Sequence, residues 1–169
     1  MPFSLKAAIT QQSYEALMRR QTDSLALLQQ VSQDLDKDPR RAIERVSKGN
    51  YKRSNKGITI CTSNGTLLAA SGHLQDHRTF NIMHISDAQG SEYINDVLRQ
   101  ASNNNIGYAF AANTTVDGKR TNANIYAKRS KNGNFAVIIR EPAPDIYSIT
   151  QNVHVALKAG IKEEDVSHP

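Results

Sequence analysis

The first stretch whose residue types suggest chemistry lies between Lys119 and Lys131. Side chains alternate faces along a β-strand, so Arg120, Asn122, Asn124, Tyr126 and Lys128 fall on one face there. Such a row offers hydrogen-bond donors, positive charge and an aromatic ring, the equipment for holding a small polar molecule. It equally suits the solvated outer face of an antiparallel sheet. The opposite face, Thr121, Ala123, Ile125 and Ala127, is small and apolar and suits packing beneath a helix. On the strand before it, Ile106, Tyr108 and Phe110 share a face, with Gly107, Ala109 and Ala111 behind them.

Motifs for catalysis are missing. The chain has no Gly-rich phosphate loop, no H-E-x-x-H, no C-x-x-C and no G-x-S-x-G. His73 and His77 stand four apart, but their segment is not convincingly helical and only Asp76 could join them. This pattern supports no metal site, no cofactor and no enzyme. Cys61 is the single cysteine, inside the strand pattern Ile58–Thr62, and reads as a buried, inert thiol.

The elements that must position these residues follow from turn signals and periodicity. Asn64-Gly65, Asp117-Gly118 and Asn132-Gly133 are hairpin dipeptides that tolerate positive φ. They separate strands over residues 57–63, 66–71 and 119–131, with one strand before Asp117-Gly118 from residue 106 and one after Asn132-Gly133 to residue 141. A long helix over residues 5–38 carries Tyr14, Leu17, Met18, Leu25, Leu28, Val31 and Leu35 mostly on one face. Gln21 and Ser24 interrupt that seam, which suits a weak, context-dependent homodimer better than a permanent coiled coil. Asp38-Pro39 ends it and starts a short helix, since Asp is a good N-cap and Pro is tolerated at the first helical position. A further helix runs to about Ser102 with Tyr93, Ile94, Val97, Leu98 and Ala101 as its buried stripe, and a last one is expected over 145–159. Residues 72–86 have no period; their polar and aromatic mix, with His73, Arg78 and Phe80, suits a binding loop.

The whole chain has 169 residues, which suits one core. Its net charge is +5, and the excess lies early: residues 1–56 hold eleven Lys/Arg against six Asp/Glu. From Arg40 to Lys56 only Glu44 opposes Arg40, Arg41, Arg45, Lys48, Lys52, Arg53 and Lys56. That run is either a solvated basic surface or a contact for nucleic acid or an anionic membrane. It lacks the interleaved aromatics of a single-strand binder, Tyr51 apart, so nucleic acid is not favoured. No apolar run approaches the ~20 residues that span a bilayer. The N-terminus lacks the apolar segment of a signal peptide.

The order of these elements resembles the single Cache domains, PAS-like sensors outside the cytoplasm in bacterial chemoreceptors and histidine kinases. The stretch Ile58 to Asn64-Gly65 to Leu68-Ala69-Ala70 resembles the family's first hairpin. Asp87-Ala88-Gln89-Gly90 followed by Tyr93-Ile94 and Val97 resembles the entry to its central helix. Gly107-Tyr108, Asp117-Gly118, Ile125-Tyr126-Ala127-Lys128 and the run Gly133–Ile138 follow its closing strands, so the likeness covers roughly residues 23–141.

The resemblance implies an α+β fold: a PAS-like, Cache-type antiparallel sheet of about five strands with a long N-terminal helix and a central helix. The organisation it implies is a helix over 1–38, a sensor domain over 39–144 and a C-terminal helix and tail over 145–169. It further implies an extracytoplasmic (periplasmic) domain for signal transduction and chemotaxis. The ligand would be a small polar metabolite, a carboxylate among the candidates, held above the sheet beneath residues 72–90. The family's R-x-Y falls on Asn124 and Tyr126, so its arginine is missing; Arg120 or Arg78 would have to stand in. The expected ligand-binding residues are His73, Arg78, Phe80, Tyr108, Arg120, Asn124 and Tyr126. The alternative is a basic interaction protein using Arg40 to Lys56.

Overall fold

The computed structural model describes residues 5–71 and 80–143. Among them the order is α1 (Leu5–Lys37), α2 (Pro39–Ser47), β1 (Gly57–Thr62), β2 (Leu67–Ala70), α3 (Tyr93–Gln100), β3 (Gly107–Val116), β4 (Lys119–Arg129) and β5 (Phe135–Pro142). The helix expected over 145–159, together with His73, His77 and Arg78, lies outside the described residues. The chain divides into two compact units, Ser24–Pro142 and Met1–Asp23 with Ala143–Pro169. The division falls inside α1. In the smaller unit, the Thr22 hydroxyl donates to the Met18 carbonyl one turn back, and Tyr14 and Met18 are exposed.

The larger unit is built on one five-stranded sheet in the order β2-β1-β5-β4-β3, with every neighbouring pair antiparallel. This is the expected α+β architecture, with β5, the last strand, at the centre. Both sheet faces are covered. On one, Leu27, Leu28, Val31 and Leu35 of α1 pack with Ile58, Ile60, Val137 and Ile139. On the other, Tyr93, Ile94, Val97 and Leu98 of α3 pack with Ile125, Ile138 and Ala123. Burial on both faces explains why Phe135–Ile139 reads as an unbroken apolar run instead of an alternating one.

Local chemistry sets the element ends. Asp38 is in extended conformation and its carboxylate accepts the Arg41 N–H at 3.2 Å, while Pro39 begins α2. At the β3–β4 turn both Asp117 (φ 52°) and Gly118 (φ 82°) are left-handed, as a two-residue hairpin turn requires. At Asn132-Gly133 only the glycine is left-handed, and the turn is wider. There the Ser130 hydroxyl accepts the Phe135 N–H at 3.1 Å and the Asn132 side chain accepts the Asn134 N–H at 3.0 Å. These side chains take over backbone bonds, and β5 starts at Phe135.

Helix α3 has eight residues and is held at its C-terminal end by the sheet. The Arg129 guanidinium donates to the carbonyls of Leu98 (2.9 Å) and Ala101 (3.1 Å), a cation on the negative end of the helix. Gly107 lies directly beneath: a Cβ there would stand 2.2 Å from the Val97 carbonyl oxygen. The end of the expected 72–86 loop is fastened too. Asn81 bridges to Thr66, and the Phe80 carbonyl accepts the Leu67 N–H at 2.8 Å.

Candidate functional site

Beside α3, on the same sheet face, lies a cavity of about 420 Å³. Its walls come from Phe80 and the 85–88 segment, from Tyr93 of α3, from residues 113–115 of β3, and from Arg120 and Arg140. Three local features shape it.

The first is Arg140. On β5 it follows Ala136 and Ile138 in the alternation and therefore points to the α3 face. It is 3% exposed. Its Nη1 donates to the Thr59 hydroxyl at 2.8 Å, while Nε and Nη2 are buried without a hydrogen-bond partner. A buried guanidinium with idle donors is costly, and such groups normally meet an anion or an acceptor.

The second is Asp87. Its Oδ1 accepts the N–H groups of Gln89 and Ser91, both at 2.9 Å, and its Oδ2 accepts that of Ala112 at 2.8 Å. Burial works to raise its pKa, but the three backbone donors outweigh burial and hold the carboxyl below its ordinary value. Asp87 thereby pins the cavity wall to β3.

The third is an irregularity in β3. The register shifts between Ala111 and Thr114, and Asn113 there is left-handed at φ 47°. The bulge presents the Asn113 carbonyl to Arg120 Nη2 at 2.9 Å and places Thr114, bonded to the Tyr93 hydroxyl at 3.1 Å, in the wall.

The residues expected from sequence separate. Phe80 and Arg120 line this cavity. Asn124 and Tyr126 do not: they lie on the opposite face, buried against α1. There the Glu141 carboxylate, 1% exposed, accepts from Ser24 Oγ at 2.7 Å, Asn124 Nδ2 at 2.7 Å and Tyr126 at 3.5 Å. The Tyr108 hydroxyl donates to Asn124 Oδ1 at 2.7 Å, and the rings of Tyr108 and Tyr126 stand 5.5 Å apart. Burial and then the Glu141 charge raise the pKa of both phenols. The structure therefore separates Asn124, Tyr126 and Tyr108 from Arg120 and Phe80, because α1 covers the face that the sequence left open. This second cluster is a packed hydrogen-bond network in which each polar group has found a protein partner.

Arg140, Asp87, Tyr93 and Thr114 were missing from the sequence expectation. Arg140 had a signal: it is the first charge following the buried apolar run, in phase with Ala136 and Ile138. Asp87 was visible as the start of a helix entry, but its partner Ala112 is distant in sequence.

The basic run is partly neutralised. Arg45 pairs with Asp34 at 3.1 Å and lies over the Tyr51 ring, Lys48 pairs with Glu44 at 2.5 Å, and Arg53 pairs with Asp117 at 3.3 Å. Among the described residues, no helix is long and apolar enough to cross a membrane, and no His/Cys/Asp/Glu group could hold a metal ion.

No family model matches the sequence, and no curated protein matches it. Among solved structures, a methyl-accepting chemotaxis protein from Vibrio parahaemolyticus RIMD 2210633 is similar, with a TM-score of 0.63 at 11% identity. The match covers 80% of this chain and 97% of that one. At this identity the likeness is one of fold.

Proposed function

We propose that this chain is a ligand-sensing domain of a chemotaxis-type signal-transduction receptor. In this reading it works outside the cytoplasm, carries out no catalysis, and binds a small anionic metabolite in the cavity over Arg140. The carrying observation is Arg140, a residue that lines the cavity and whose guanidinium is buried with Nε and Nη2 unpartnered. A carboxylate there would supply the missing acceptors, and Arg geometry suits a planar two-oxygen partner. The fold shared with a chemotaxis protein supports the sensing role. Sensing further requires that the ligand bind two states of the domain unequally. The weak self-association expected of the N-terminal helix belongs to the same reading.

Thermal-shift titration of the wild-type protein and Arg140→Met against acetate, succinate, glycine and ethanolamine is the test. A ligand at a hundred times its Kd stabilises by about 2.7 kcal/mol. At least one of the two acids should raise the wild-type melting temperature and leave Arg140→Met unmoved, and ethanolamine should do nothing. A shift that survives in Arg140→Met, or none with either acid, overturns the reading.

A further inference from the structure

We infer that the chain self-associates through the outer side of β3, where a second copy docks on the strip Ile106, Tyr108 and Phe110. Ile106 leads into β3, and Tyr108 and Phe110 continue the alternation along what is an edge strand of the sheet. The three side chains are 45%, 46% and 40% exposed. Among the described residues they make up half of the large apolar side chains left open, the others being Tyr14, Met18 and Phe80. Helix α1 buries Tyr126 on this face and stops short of β3. A contiguous apolar strip on a folded domain marks a contact surface. This contact is separate from the one expected of α1, and it does not rest on the anion site.

Charge selects a second copy as the occupant. A two-fold contact brings a surface against itself, so any excess charge there would meet its own sign. The chain carries a net charge of +5, yet between Tyr93 and Val116 its only charged residues are Asp96 and Arg99. They pair with each other at 2.5 Å on α3, so the region is neutral. Lys128, on the same face of β4, is engaged by Gln29 of α1 at 2.9 Å. The order of the strip also suits a two-fold axis: placed at Tyr108, it sets Ile106 of each copy against Phe110 of the other.

The backbone edge of β3 is poorly suited to adding a strand from another protein. The Gln100 side chain accepts the Tyr108 N–H at 3.0 Å, Asp87 accepts the Ala112 N–H at 2.8 Å, and the Ala112 carbonyl accepts the Ala88 N–H at 3.0 Å. With these groups taken, side chains and not strand pairing must make the contact. Tyr108 is a ready anchor. Its hydroxyl is tied to Asn124 at 2.7 Å and its ring stands 5.5 Å from that of Tyr126, so little freedom is lost on docking. Tyr108 and Phe110 also wall an open groove of about 600 Å³ against α3, which gives a partner's side chains room to enter. A standard stable interface takes about 800 Å² per partner. Three half-exposed side chains supply only part of that, so the association is weak and reversible.

Sedimentation equilibrium of the full chain without added ligand is the test. The wild-type protein should show a reversible dimer that grows with concentration. Ile106→Asp and Phe110→Lys, each alone, should weaken it at least about tenfold, as loss of an interface anchor does. Both positions are exposed, so the melting temperatures should stay near wild type. Mixing the two variants should restore the dimer to within about threefold of wild type. In the mixed pair one end joins the introduced acid to the introduced base, and the other end keeps native Phe110 against native Ile106. Met18→Lys on α1 should leave the dimer intact. A monomer at every concentration, a dimer unmoved by either β3 variant, or a mixture no tighter than the single variants overturns the inference. So does a dimer that Met18→Lys abolishes and the β3 variants keep.

Discussion

Arg140 and Glu141 are neighbours on the central strand, and their side chains leave it in opposite directions. Arg140 lines the cavity beside α3, whereas Glu141 accepts the Ser24 hydroxyl of α1 at 2.7 Å on the other face. Both are at least 97% buried, with exposures of 3% and 1%. A strand carrying consecutive buried charges is unusual, because each must be satisfied by its own face. Glu141 is satisfied by Ser24, Asn124 and Tyr126. Arg140 is satisfied only in part, through Thr59.

That asymmetry predicts opposite responses to truncation. Glu141→Ala would strand the Asn124 amide and the Ser24 and Tyr126 hydroxyls, and each orphaned polar group costs about 1–3 kcal/mol. Urea denaturation should show a loss of about 3 kcal/mol or more, with Ser24→Ala costing about 1 kcal/mol. Arg140→Met, which removes a charge with idle donors, should cost less than Glu141→Ala or even stabilise the ligand-free domain. Equal losses for Arg140→Met and Glu141→Ala would contradict this account of the two faces.

How much of this could be seen in advance depends on the range of the interaction involved. Asp117-Gly118 defines its turn through backbone preferences of two adjacent residues, so the β3–β4 hairpin was readable directly. The α1 stripe and the Asp38 cap are likewise local. The site is not. Strand alternation correctly grouped Asn124 with Tyr126, but which face α1 would cover depends on the tertiary packing of Leu28 and Val31. Arg120 shares the parity of Tyr126, yet its guanidinium donates to Asn113 in the β3 irregularity and the residue lines the cavity. A resemblance that placed the key arginine on β4 also drew attention from Arg140, whose phase on β5 was visible in the residues themselves.

Gly107 offers a packing test. An added methyl would meet the Val97 carbonyl at 2.2 Å and the Ala101 nitrogen at 3.2 Å, both backbone atoms of the α3 end that cannot rotate aside. Gly107→Ala should cost about 3 kcal/mol, the upper range for overpacking. It should also increase hydrogen exchange in α3 selectively. Gly118→Ala, where no heavy atom lies within 4 Å, is the comparison: it should show only the smaller strain of its left-handed backbone. A Gly107 variant as stable as wild type would mean that α3 is not seated on β3 as described.

Cys61 is fully buried, and burial pushes its thiol up to about 12 despite the opposing charges of Arg129 and Arg140. Since the thiolate is the reactive form, a thiol reagent at pH 8 should label the native protein very slowly and the urea-unfolded protein promptly. Rapid native labelling would show that β1 opens readily or that the thiol is not in the core.

Asp87 supplies the pH test. Its folded-state pKa is lowered, burial being outweighed by the N–H donors of Ala112, Ser91 and Gln89. A depressed carboxyl contributes stability that is fully present above its ordinary value of 3.8 and is lost as pH falls through the folded value. At pH 7, Asp87→Asn replaces one acceptor oxygen with an amide that opposes a backbone N–H, and should cost about 1–3 kcal/mol. Below about pH 4 the unfolded chain's carboxyl takes up a proton before the folded one does, so the wild-type advantage declines and the gap between the two proteins should narrow. Melting temperatures of both from pH 7 to pH 2.5 report this directly. Parallel curves over the whole range would show that Asp87 does not hold the cavity wall through its charge. Because the same carboxylate fastens residues 87–91 to β3, Asp87→Asn should also loosen the wall, and faster exchange of the Gln89 and Ser91 amides at pH 7 would locate the change there.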